Sequence, residues 1–222
     1  MKRFLDIVGS LVLIALLSPL LLSISLAIRI TSQGPVLFIQ ERIGLRGQVF
    51  RMLKFRTMFQ NAEKMGMGLY SFEDDPRITR IGHILRRKSL DELPQLFNVL
   101  AGSMSLVGPR PPVTYELGPW EDYTPEMRKR FEVKPGITGL AQVSGRNELN
   151  WDEKIAFDNE YVDLIGNQGA WIDLIILWRT LWVVLAGRNT VENDVCSKEK
   201  DGSVAARARD AGLPVSQKRK DS

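Results

Sequence analysis

The feature that most restricts this chain is the run from Ile7 to Ile28, which is apolar almost throughout and carries no charge. Only Gly9, Ser10, Ser18, Ser23 and Ser25 dilute it. As a helix rising ~1.5 Å per residue it would reach about 33 Å, the thickness of a bilayer's hydrocarbon core. A cleaved signal peptide would have a shorter apolar core, roughly 7–15 residues, and a small-residue cleavage site. Here Arg29 and Gln33-Gly34-Pro35 follow instead. A simple span must send one flank across the membrane, yet both flanks are basic: Lys2 and Arg3 before, Arg29, Arg42, Arg46 and Arg51 after. Ser18-Pro19 sits near the middle, where proline removes a helical hydrogen bond and a serine hydroxyl can re-satisfy a freed backbone group. The expectation is a re-entrant membrane helix over residues 1–30, broken at Ser18 and Pro19. A kinked span and a buried core helix are the alternatives.

The remaining composition suits one folded domain. The 222 residues are 44% hydrophobic, which excludes wholesale disorder. A single cysteine excludes an intrachain disulfide and a Cys-rich zinc site, and one histidine excludes a multi-histidine cluster. The cysteine count fits a reducing compartment. The net charge of +4 points to an anionic partner.

Along the chain, Pro35–Gln40 and Val49–Leu53 read as a β-hairpin around Gly44–Gly47. Asn61–Pro76 reads as a mobile loop. Arg77–Lys88 reads as a helix with Ile78, Ile81, Ile84 and Leu85 on one face, and His83 as a packing residue within it. A second helix, Leu90–Leu100, stops at Gly102. Gly108–Pro112 is a proline-clamped loop, Thr124–Phe131 a short charged helix, and Pro135–Gly145 a glycine-rich loop or strand. Trp151–Ile165 is helical, its packed face built from Ile155, Tyr161, Val162 and Ile165. Residues 170–186 are nearly apolar with Trp171, Trp178 and Trp182, too short for a span; an interfacial helix is expected, a core helix being the alternative. The fold class is α+β and mainly helical: a catalytic domain at 31–188 with a short hairpin, then a polar, disordered tail at 189–222. No internal repeat is visible.

Ser89-Leu90-Asp91-Glu92-Leu93-Pro94 concentrates the chemistry. Ser-x-x-Glu is the capping-box pattern, with Glu92 reaching back to the Ser89 amide. Pro94, however, belongs in a first turn and shifts the start toward Asp91 or Glu92. Two carboxylates there sit in a positive local field, which would keep Asp91 ionised, and free helix amides could hold a phosphate beside it. A carboxylate, a phosphate and a divalent cation would make a phosphoryl-transfer site. Basic residues lie close by: Arg86, Arg87 and Lys88 upstream, and Arg110 between Pro109 and Pro111, where little freedom remains to be lost. Lys54 and Arg56 alternate around Phe55 and so share one face, toward phosphate, carboxylate or lipid. Gly136 and Thr138 lie in a run that permits close backbone approach, and Gln142, Ser144, Arg146 and Asn147 supply donors for a nucleotide or sugar. A tight structural turn is the competing reading. Glu73-Asp74-Asp75 is a rival metal site or, more simply, a solvated acidic run. No Walker loop or dinucleotide glycine fingerprint occurs.

Five segments appear in order: Lys54-Phe55-Arg56-Thr57-Met58, Ser89 to Leu96, Asn98-Val99-Leu100, Met104 to Pro111, and Lys134 to Gly139. Over about residues 1–187 the chain resembles the bacterial sugar transferase family, the small monotopic phosphoglycosyl transferases. The resemblance implies an enzyme on the cytoplasmic face of the bacterial inner membrane. It implies transfer of a phospho-sugar from a UDP-sugar to a polyprenol phosphate such as undecaprenyl phosphate, releasing UMP, as the first membrane step of exopolysaccharide or lipopolysaccharide assembly. It casts Asp91 as nucleophile, Glu92 as its partner with Mg²⁺ (the metal held by Asp91 and Glu92), and Arg86 and Arg110 as phosphate-neutralising groups. Membrane lipids are then partners, and interfacial helices allow a homodimer. A non-enzymatic membrane scaffold for glycan assembly is the rival of another class. A nucleic-acid-binding module is disfavoured, since no such motif is present.

Overall fold

The computed structural model describes residues 1–60, 62, 75–145 and 149–185. Arg146, Asn147, Glu73, Asp74 and the tail at 189–222 lie outside those residues.

The apolar run forms most of one long helix, α1 (Lys2–Thr31), with Pro19 inside it. The break expected at Ser18-Pro19 is absent, and the side chain beside it explains why. Proline cannot donate to the carbonyl of Ala15, but Ser18 Oγ donates to that oxygen at 2.9 Å, so the helix continues without a bare carbonyl. The core-helix alternative fails, because only 17% of the most apolar stretch of α1 is buried. Both ends of α1 dock on the same body. Lys2 Nζ reaches Asp173 (2.6 Å) and the Val107 carbonyl (3.0 Å), and Asp6 accepts from Ser105 and from the Leu106 amide. Near the other end Ile28, 1% exposed, packs with Phe55, and Ser32 accepts from Arg56.

The hairpin is present: β1 (Leu37–Ile43) pairs antiparallel with β2 (Val49–Phe55). Next come α2 (Arg80–Arg87), a single 3-10 turn at Leu90–Glu92, and α3 (Gln95–Ala101). Gly102 ends α3 at φ 91°, as expected of a left-handed cap. A strand with no sequence signal, β3 (Ser105–Val107), pairs in parallel with β4 (Gly136–Thr138). α4 (Pro125–Lys129), α5 (Leu140–Ser144), α6 (Trp151–Gln168) and α7 (Trp171–Leu185) complete the described residues.

Three apolar clusters hold these elements together. The main one joins Met52, Val99, Met104, Val107, Phe157 and Ile176, so β2, α3, the β3–β4 pair, α6 and α7 share a core. The second lies between α1, β2 and α2. The third packs Ile43, Tyr123 and Phe131 beneath the hairpin. On α6, Ile155 and Tyr161 are buried as expected, but Val162 and Ile165 are only partly buried; Phe157, Asp158 and Leu164 take their places. α7 buries Ile172 and Ile176 and leaves Trp171, Trp178 and Trp182 each at least 60% exposed. It is therefore not a fully buried core helix: one face packs and the face carrying the tryptophans is exposed. Two positions on α2 differ from expectation: Ile84 is 57% exposed, and His83 is exposed rather than packed.

Candidate active site

The site grows from three short segments fixed by the core. β2 ends in Lys54-Phe55; Phe55 is buried while Lys54 turns the other way. Asn98 on α3 locks that strand: its Oδ1 accepts from the Leu53 amide (2.9 Å) and its Nδ2 donates to the Arg51 carbonyl (2.7 Å). One side-chain amide thus acts as a short extra strand along β2 and sets α3 beside Lys54. The third segment, Gly108–Pro111, is held by the Gly108 amide to Thr138 O (2.8 Å) and the Gly136 amide to Pro109 O (2.9 Å). A Cβ on Gly136 would lie 2.0 Å from the Gly108 nitrogen. The close approach at Gly136 is therefore to backbone, where a ligand had been expected.

The capping box at Ser89 does not form. Ser89 takes a left-handed conformation, φ 54°, and its side chain makes no cap bond. The chain therefore turns sharply between α2 and the 3-10 turn, and α3 begins only at Gln95, so Asp91 and Glu92 precede it. That turn places Glu92 between two cations: Lys54 Nζ donates to Oε1 at 3.1 Å and Arg110 Nη2 to the same oxygen at 2.9 Å, with Arg110 Nη1 at 3.4 Å from Oε2. Burial pushes the Glu92 carboxyl up, but Arg110 and Lys54 outweigh it and hold it well below the usual range. Asp91 is different. It is half-buried and makes no hydrogen bond or ion pair among the described residues. Burial raises its carboxyl, adjacent Glu92 adds to the rise, and Lys54, Arg86 and Arg110 offset only part. The expected depression by a helix field gives way to this rise, because no α-helix starts at Asp91. Lys54 is itself held below the ordinary lysine value by burial, with Glu92 opposing.

The remaining expected site residues divide. Arg86 Nε donates to Thr57 Oγ1 (2.9 Å) and contributes to the potential at Asp91. Arg87 and Lys88 are exposed. Arg56 does not share the face of Lys54, since β2 ends before it. It is buried, and its Nη2 donates to Ser32 O (2.9 Å) and Ser32 Oγ (2.7 Å) at the end of α1. Thr138 turns to Thr180 on α7, 2.8 Å between hydroxyls. Gln142 has both amide atoms buried and unpartnered, and Ser144 has its hydroxyl so. Asp75 is 1% exposed and bound by Arg77 (2.6 Å), so it is neither solvated nor free for a metal.

Two contributors were not found from sequence. Arg42 on β1 donates to the Pro111 carbonyl (2.9 Å) and to Gln40, and its charge acts on Arg110; burial lowers its guanidinium to about 10. Its alternation with Gln40 on the hairpin was the available signal. Arg130, 1% exposed, donates to the Arg110 carbonyl (2.7 Å) and pairs with Asp158 on α6 (2.7 Å). No periodicity marks it.

Such a site, a carboxylate without a partner among the described residues beside a carboxylate held by two cations, has the parts of a phosphoryl-transfer centre. The chain belongs to the bacterial sugar transferase family, which it matches over residues 1–187. It is 42% identical over 200 residues to an undecaprenyl-phosphate galactose phosphotransferase of Salmonella typhimurium, covering 83% of this chain and 40% of that protein. It is 45% identical over 194 residues to a UDP-glucose:undecaprenyl-phosphate glucose-1-phosphate transferase of Caulobacter vibrioides (85% and 71%). It is 36% identical over 203 residues to the exopolysaccharide production protein ExoY of Sinorhizobium fredii (85% and 87%). The chain spans about two fifths of the length of several such relatives.

Proposed function

We propose that this chain transfers a phospho-sugar from a UDP-sugar to a polyprenol phosphate, undecaprenyl phosphate being the acceptor named in its relatives, through a covalent intermediate on Asp91. The observation that carries the reading is the division of labour between neighbours: Glu92 is paired with Lys54 and Arg110, while Asp91 makes no hydrogen bond or ion pair among the described residues. In the first step an Asp91 carboxylate oxygen attacks the β-phosphorus of the UDP-sugar. The bond from that phosphorus to the bridging oxygen breaks, and UMP leaves with the electron pair. In the second step a phosphate oxygen of the polyprenol phosphate attacks the same phosphorus, the bond to Asp91 breaks, and polyprenol-diphosphate-sugar forms with the carboxylate regenerated. Arg110, Arg86 and Lys54 stabilise charge that develops on the phosphoryl oxygens. Splitting the transfer lets two bulky substrates use one site in turn.

The carboxylate pair fits Mg²⁺, which takes one or two protein carboxylates and fills its shell with phosphate oxygens and water. Among the described residues no group of three acidic, His or Cys ligands exists, which would suit a metal held independently of substrate. Asp91 and Glu92 would hold the ion, and its chemistry there would be neutralisation of the diphosphate.

The membrane arrangement supports the lipid acceptor. Both ends of α1 dock on one body, which supports a monotopic reading in which the unbroken helix lays its exposed apolar face in one leaflet and keeps its two basic flanks on the same side. The cytoplasmic face of the inner membrane is the side that basic flanks prefer. The exposed tryptophans of α7 belong at the headgroup level.

The test is UMP release from detergent-purified protein given Mg²⁺, undecaprenyl phosphate and a panel of UDP-sugars. Release with one sugar, lost in a folded Asp91→Asn variant, is expected. Equal release from Asp91→Asn would overturn the role of Asp91, and no release with any sugar would favour a scaffold.

A further inference from the structure

We propose that the outer face of α2 is a headgroup site for anionic phospholipid, an inference that rests on the membrane reading above. At 100° per residue Ile81, Gly82 and Leu85 share one side of α2, and Leu85, 3% exposed, packs against Leu21, Ile24 and Ile28 of α1. The opposite arc holds Arg80, His83, Ile84 and Arg87, with Lys88 just beyond, all exposed. The arc carries no acidic residue. Among the described residues Arg80, Arg87 and Lys88 make no hydrogen bond or ion pair through their side chains.

Two observations distinguish this face from a merely solvated one. At its centre stands Ile84, 57% exposed and flanked by arginines. Long basic side chains lie along apolar surface and carry their charge outward, an arrangement suited to the boundary of acyl chain and headgroup. The second is depth. α2 packs on the last turns of α1, just before Arg29 and Thr31, where the helix leaves its apolar stretch. Leu22, Leu26 and Ile30 in the same turns are exposed. Lipid around this end of α1 brings headgroups level with α2. A phosphodiester there meets three cations that, among the described residues, no carboxylate pairs with. The same helix carries Arg86 toward Thr57 and Asp91, so headgroups gripping its outer face hold Arg86 in register with the site.

The experiment uses the full chain with Cys196→Ser and one bimane label, at His83→Cys or, as the membrane control, at Leu16→Cys. Vesicles of fixed phosphatidylcholine and phosphatidylglycerol content carry shallow bromine quenchers on one lipid or the other. At His83→Cys, bromine on phosphatidylglycerol should quench in several-fold excess over its share, since each cation near an anionic surface favours it roughly fivefold at low salt. The excess should vanish at high salt and in Arg80→Gln/Arg87→Gln/Lys88→Gln, while Leu16→Cys is quenched alike by both lipids. Quenching at His83→Cys in proportion to composition, with Leu16→Cys quenched, overturns the proposal alone. Absence of quenching at Leu16→Cys overturns the membrane reading beneath it. Displacement of the excess by inorganic phosphate would assign the face to a soluble anion and also overturn it.

Discussion

Single side chains decide the chemistry here through charge and through one backbone contact. Asp91 must be ionised to attack, and its carboxyl is held above the ordinary value by burial and by Glu92. Adduct formation should therefore rise with pH through an apparent pKa above the usual carboxylate range. Removing the cation that most opposes the rise, by Lys54→Met, should move that limb to still higher pH, as a pH series of single-turnover UMP release would show. An unmoved limb would mean that Lys54 does not sense Asp91. Asn98 acts mechanically instead. Replacing it by leucine leaves the Leu53 amide and the Arg51 carbonyl without their partner. It should cost about 2 kcal/mol in denaturant unfolding and lower activity through a displaced Lys54.

Among the elements, α1 carries the sharpest internal test. Ser18 covers the Ala15 carbonyl that Pro19 leaves bare. Ser18→Ala should destabilise by ~1 kcal/mol, and Pro19→Ala should restore the backbone donor, so that Ser18→Ala becomes neutral in its presence. A thermal-unfolding cycle in detergent measures the coupling; additive effects would contradict the pairing. The elements also show what sequence reasoning resolves. The hairpin, the charged helix at α4, the Gly102 stop and the interrupted apolar character of α7 were legible, since each rests on local composition. The capping-box pattern at Ser89 and Glu92 forms no box, whereas Asn150 and Glu153 form one at the start of α6. The pattern was present at both places; cations drew Glu92 away at one. β3 was invisible because three residues carry no period, and its partner is distant in the chain.

At the scale of the whole molecule, the site is suspended from distant parts of the core. Arg110 faces Glu92 with its side chain and Arg130 with its carbonyl, and Arg130 is balanced by Asp158 on α6. Arg130→Met should destabilise by about 3–5 kcal/mol, because a buried Asp158 loses its counterion. Adding Asp158→Leu should recover much of the melting temperature without recovering kcat, since the Arg110 carbonyl still lacks its donor. Joint recovery would show that Arg130 serves stability alone. This is also why part of the site escaped the sequence. Asp91, Glu92, Arg110 and Lys54 announce themselves by local motif. Arg42 and Arg130 join only when hairpin, loop and α6 meet, and Arg56, close to Lys54 in the chain, is turned away to Ser32.

The central claim is that Asp91 becomes covalently phosphorylated by the donor. The direct measurement is intact-protein and peptide mass spectrometry after incubation with the UDP-sugar and Mg²⁺ but no polyprenol phosphate. The account predicts a sugar-phosphate mass on the peptide carrying Asp91, accompanied by stoichiometric UMP and discharged on adding undecaprenyl phosphate. UMP formation that requires the acceptor, with Asp91 unmodified throughout, would contradict it.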